Sequence, residues 1–138
     1  FGLTRGTTDA HIIRATLESI AYQSYDVIKA MEKDAHQPIN GLKVDGGASR
    51  NDFLMQFQAD ILGTDVIRPL ISETTALGAA MLAGLAIGTY ASTDELSRIW
   101  KASQSFTTAM DATLREEKLK RWKMAIDAVS VFEVTDHE

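Results

Sequence analysis

The chain has 138 residues, 45% of them hydrophobic, which is enough to bury one ordinary core and leads us to expect one domain or a piece of one. Its formal net charge of −5 argues against a partner that is nucleic acid or an anionic membrane, since such binders are usually basic. Absence of cysteine excludes disulfides, thiolate metal sites and a cysteine nucleophile, and fits a reducing, cytoplasmic setting.

The opening Phe1-Gly2-Leu3-Thr4-Arg5-Gly6 has neither the basic nor the apolar region of a signal peptide, and it carries no initiator methionine. We therefore expect a piece of something longer. The first helix is predicted from Thr7-Thr8-Asp9, which offers an N-cap and an acid for the positive end of the dipole. Ile13, Leu17, Ile20, Ser24, Val27 and Met31 recur at steps of three and four, predicting one apolar face and a helix running to about Lys33. Asp34 to Pro38 should end it.

A short strand, Leu42 to Asp45, comes next and leads through Gly46-Gly47-Ala48 into a second helix. Ser49 is its expected N-cap, with Asp52 as a weak capping-box partner. Phe53, Leu54, Phe57, Ile61 and Leu62 form the helical stripe, and Gly63 stands where helices commonly stop. Thr64 to Arg68 reads as a second strand closed by Pro69. Strand, helix, strand in this order is a βαβ unit with parallel strands.

Ser72-Glu73-Thr74-Thr75 is expected to open a third helix, rich in alanine and glycine. Its apolar stretch Ala76–Ala91 falls short of the ~20 residues a bilayer crossing needs, so we expect a helix buried against close neighbours. A short amphipathic helix should follow Thr93-Asp94-Glu95. The last helix is predicted over Thr113–Val131, with Leu119, Trp122, Ile126 and Val129 inward and Lys118, Lys120, Arg121 and Lys123 as a solvated face. Five helices against two strands make a sheet too narrow to stand comfortably alone, so further strands are expected upstream of Phe1.

The chemistry concentrates at Val44-Asp45-Gly46-Gly47-Ala48-Ser49-Arg50-Asn51. Two glycines between a strand and a helix can bring bare backbone against a flat ligand at the carboxyl end of a strand. The helix N-terminus adds N–H donors, and Asn51, expected in the first turn, can donate to and accept from a base or ribose. The local pattern fits a plain tight turn equally well, since it matches neither the dinucleotide fingerprint nor the P-loop. His11, His36 and His137 have no metal-ligand spacing and are expected to be exposed or capping.

A longer pattern goes further. Gly2-Leu3-Thr4-Arg5-Gly6-Thr7-Thr8-Asp9-Ala10-His11 and its continuation through Glu18 resemble the second signature of the FGGY carbohydrate kinases, and Ser19-Ile20-Ala21-Tyr22-Gln23 is similar to the glycerol kinases among them. Val44 through Asn51, then Phe53 through Gly63, resembles their adenosine-motif strand and helix; Thr74 through Ala80 and Leu82 through Ala86 resemble the next family helix.

The resemblance implies an α/β fold of the actin-like, ribonuclease-H-like type, with residues 1–138 as part of its C-terminal nucleotide-binding domain. It implies that Gly47 and Asn51 contact the adenosine part of ATP or ADP, with Gly46 and Ala48 shaping the same wall. It implies that the catalytic aspartate, the glycerol contacts and the holders of the phosphates and Mg²⁺ lie upstream, in a homo-oligomeric parent. The piece alone would then be inactive, and Asp45 would have a turn role. Some bacterial glycerol kinases carry a Pro-Gly-Ile-Glu-type turn for a regulatory partner; Thr107-Thr108-Ala109-Met110-Asp111 departs from it. The alternatives are an FGGY kinase of another polyol or sugar, and a non-catalytic nucleotide-binding or self-association module.

Overall fold

A computed structural model describes residues 1–71 and 73–131. Helix α1 spans Asp9–Ala35, and Thr8 stands at its N-cap. His11 Nδ1 reaches back to accept the Thr8 N–H at 3.1 Å and lies 2.8 Å from the Thr8 hydroxyl, closing a reciprocal cap. His36 ends the helix with φ 53°, in the left-handed region. Two of the three histidines therefore do capping work, as expected; His137 lies outside the described residues, as does Ser72.

Strand β1 is Leu42–Lys43, shorter than expected, though Val44 N–H still donates to Ile67 O at 3.1 Å. Strand β2 is Val66–Pro69 and runs parallel to β1, with Leu42 opposite Val66 and Lys43 opposite Ile67. Between them lies α2, Asp52–Leu62, closed by Gly63 at φ 69°. The βαβ unit thus stands where the hydrophobic pattern puts it. The strand count does not: a third strand, β3, Ala102–Phe106, pairs antiparallel with the far edge of β2. The sheet is mixed, in the order β1-β2-β3.

The core gathers around α2. Leu54, Met55, Phe57, Ala59, Ile61 and Leu62 are buried between Ala21 and Ile28 of α1 on one side and Val66 and Phe106 of the sheet on the other. Burial of a side chain such as Leu54 or Ile61 contributes roughly 2–3 kcal/mol. Helix α1 presents a different face from the one expected. Ala21 and Ile28 join the core with α2 and Leu17 is half-buried, whereas Ile13, Ile20, Val27 and Met31 stay exposed. The stripe of apolar side chains is broader than the face that α2 covers.

Helix α3, Thr74–Ala86, also departs from expectation. Only Gly84 is buried, and it touches the ring of Tyr90 just beyond the helix; Leu82 is 66% exposed. No described helix is long and apolar enough to cross a membrane. Helix α4 is Thr93–Ile99, capped by Ser92. Helix α5 is Ala112–Ser130, capped by Asp111, whose carboxylate accepts the Thr113 and Leu114 N–H groups and is held below the usual carboxylate range by those bonds. Of the expected inward stripe on α5, Leu119 and Trp122 are half-buried while Ile126 and Val129 are exposed. Trp122 stacks on Tyr22 and donates to Asp26 at 2.8 Å, which docks α5 on α1. Of the basic side chains expected as a solvated face on α5, Lys120, Arg121 and Lys123 are exposed, with Arg121 beside Glu117 and Lys123 beside Asp127, whereas Lys118 is half-buried with its ammonium over the Phe57 ring of α2.

Candidate functional site

The turn after β1 is built at the carboxyl end of the strand. Lys43 is the last ladder residue, Val44 extends the pairing, and Asp45 accepts a hydrogen bond from the Thr74 hydroxyl at the start of α3. Asp45 therefore ties strand β1 to α3, in keeping with a structural role. Gly46 follows at φ 78°, a conformation costly for any residue with a Cβ. Residues Gly47–Arg50 then form a single 3-10 turn before α2 begins.

Ser49 is not the cap of α2. It is buried, its hydroxyl donates to Gly46 O at 2.7 Å, and its N–H reaches the same oxygen at 3.2 Å. The N-cap is Asn51, whose Oδ1 accepts the Leu54 N–H at 3.0 Å, and Asp52 is the first residue of the helix rather than a capping partner. The reason is geometric. Gly46, at φ 78°, turns the chain straight into the 3-10 turn of Gly47–Arg50, which uses up the residues that would otherwise begin α2. Asn51 consequently stands at the junction of the two helical segments, with its side-chain oxygen committed to the cap and its amide NH₂ left to donate.

Gly46, Gly47, Ala48 and Asn51 are all exposed and lie together on one open surface. Among the described residues, apart from its chain neighbours, no atom lies within 4 Å of where a Cβ of Gly47 would sit, and Gly47 has no positive φ. Neither packing nor backbone geometry among the described residues demands a glycine there. Space in front of the bare backbone is what the missing Cβ leaves.

The turn is held from beneath by Arg68 of β2. Its guanidinium donates to Ser49 O at 2.9 Å and to the Asp52 carboxylate at 2.8 Å, bonds also to Gln104 of β3, and lies over the Phe106 ring. Sequence reading missed this residue. Its main partner at the turn is a backbone carbonyl, and only the strand pairing brings the two together. On the other side of α2, the buried Asp60 carboxylate accepts from Gln56, Ala109 and Met110, fixing the 107–110 loop to the helix. Among the described residues no three His, Asp or Glu side chains gather in a way that could hold a metal ion.

The chain resembles known proteins over most of its length. A glycerol kinase of Shewanella frigidimarina is 57% identical over 129 residues, covering 94% of this chain and 26% of that protein. One from Janthinobacterium is 55% identical over 132 residues, covering 96% and 26%. The chain thus spans about a quarter of these relatives. Among solved structures, a Plasmodium falciparum glycerol kinase with ADP superposes with a TM-score of 0.84 at 34% identity, covering 93% of this chain and 26% of that one. The architecture is the actin-like α/β fold of these kinases, helix-rich with a small mixed sheet. Residues 1–87 match the sequence profile of the FGGY family of carbohydrate kinases, C-terminal domain, and on this evidence the chain belongs to that family.

Proposed function

We propose that this chain is the adenosine side of the ATP site of a glycerol kinase, one part of its C-terminal nucleotide-binding domain, and that it supplies positioning rather than a chemical group. Gly46, Gly47 and Ala48 form the wall against which the adenosine part of ATP or ADP lies, and the Asn51 amide donates to it. The observation that carries the reading is the open backbone at Gly47, a glycine that nothing among the described residues requires. Its place in the matched stretch, and the 34%-identical neighbour solved with ADP, support the same reading.

The whole enzyme would transfer the γ-phosphoryl group of ATP to glycerol, giving ADP and glycerol 3-phosphate. In such a transfer a carboxylate accepts the hydroxyl proton while a metal and positioned donors steady the moving phosphoryl group. We assign Mg²⁺, glycerol and the terminal phosphates to the part of the relatives that this chain does not span. The same part would supply strands beside the free edge of β1. We assign the enzyme to the cytoplasm as a homo-oligomer. The chain's own contribution is the part of the binding energy that aligns the nucleotide.

The test is an amide NMR titration of this chain with ADP, using Asn51→Ser as the control. Serine keeps an acceptor for the Leu54 N–H and preserves the cap, while removing the amide donor. We expect shifts clustered at residues 46–51 that saturate in the wild type and weaken at least several-fold in the variant. Millimolar ADP leaving those amides unmoved would remove Gly47 and Asn51 from the site.

A further inference from the structure

We propose that Arg68 is a positioning residue for nucleotide binding, acting through the Gly46–Asn51 turn without touching the nucleotide; this rests on the reading of that turn as the adenosine wall. Among the described residues the turn has no long-range backbone–backbone bond. Its internal bonds are local: the Ser49 N–H and hydroxyl to Gly46 O, and the Asn51 N–H to Ala48 O. Such bonds set the curvature of the turn, but they do not fix its height above the sheet. Arg68 does. It sits at the carboxyl end of β2, beside the carboxyl end of β1 where the turn departs, and its two arms point different ways.

One nitrogen holds the Ser49 carbonyl at 2.9 Å and the Asp52 carboxylate at 2.8 Å, gripping the turn and the first residue of α2 together. The other bonds Gln104 of β3, with the guanidinium plane over Phe106. The turn is thus tied to β2, and the guanidinium that ties it is itself steadied by β3. Its side chain is 18% exposed, against 67% for Asp52, so the cation is the anchored partner and the carboxylate the outer one. A planar five-donor group can serve a carbonyl, a carboxylate and an amide oxygen at once, which a lysine ammonium on a flexible stem cannot. Charge-assisted bonds to a backbone carbonyl are also stronger than neutral ones.

Arg68→Met, Gln104→Ala and the wild type would be compared by ADP titration, with thermal unfolding measured on each. Arg68→Met should weaken ADP binding tenfold or more and shift the unliganded amides of residues 47–51. Gln104→Ala removes only the arm that faces away from the turn; it should lower the unfolding midpoint slightly while leaving ADP binding within about twofold. A general strand clamp predicts the opposite, a lower midpoint in both variants with ADP binding unchanged in both, and that result would overturn the proposal while leaving the adenosine wall intact. Should Arg68→Met unfold, Asp52→Asn, which keeps the carbonyl bond and weakens the ion pair, should weaken ADP binding two- to fivefold; no weakening overturns the proposal. A wild type blind to ADP would sink the wall and this inference together.

Discussion

Helices α2 and α3 are both apolar, yet they lead opposite lives. In α2 every residue from Leu54 to Leu62 except Gln56 is buried, including the polar Gln58 and Asp60. In α3 only Gly84 is, although the helix contains no charged residue and is the more hydrophobic of the two. The difference is not composition but cover. Helix α2 has α1 on one face and β2 and β3 on the other, and even its Asp60 is satisfied by the loop that passes over it. Helix α3 is tied to the rest chiefly at its start, where the Thr74 hydroxyl meets Asp45. An apolar sequence states what a helix needs to bury; the surrounding chain decides whether it does.

The contrast is sharpest at a matched pair of leucines. Leu54 is 1% exposed and ought to be the most expensive side chain to shorten. Leu54→Ala should cost about 3–5 kcal/mol in denaturant unfolding, combining lost transfer energy with the cavity left in a packed site. A cost below about 1 kcal/mol would mean that α2 is not the centre of the core.

How much of this was readable follows the same line. The βαβ unit, the stop at Gly63 and the span of α1 were legible, because local periodicity and glycine chemistry fix them. Strand β3 was not: Ala102-Ser103-Gln104-Ser105-Phe106 has no apolar alternation, and four of the five residues are exposed. It is a strand because β2 offers an open edge and Phe106 reaches the core. The glycines of the candidate site were legible and Arg68 was not, for its partnership with Ser49 exists only once β2 lies beside β1. The capping of α2 was misread because Ser49 and Asp52 imitate a capping box, and the 3-10 turn displaces the cap to Asn51.

A smaller effect tests the seam between α1 and α5. Tyr22 lies flat against Trp122 and edge-on to Phe57, and burial first, then the Glu18 charge, push its hydroxyl from 10.0 up to about 12. The folded state therefore holds the proton that the unfolded chain releases. The resulting stability is fully present below pH 10 and is lost as pH rises toward 12. Urea midpoints followed over that window should fall more steeply for the wild type than for Tyr22→Phe, which keeps the stacking and lacks the ionisation. Parallel profiles would show that Tyr22 is as wet in the folded chain as in the unfolded one.

The smallest effect belongs to α3. Leu82→Ala removes as many carbons as Leu54→Ala, but from a side chain 66% exposed, and alanine is the better helix former. Transfer energy and cavity terms are both nearly absent, so the change should lie within about 0.5 kcal/mol of zero. The two substitutions together form one measurement: identical chemistry, with a difference of several kcal/mol set by neighbours alone. Were Leu82→Ala to cost as much as Leu54→Ala, α3 would have to be covered in solution, and the contrast between the two helices would dissolve. If its cost is near zero, the apolar face of α3 is surface that the described residues leave open.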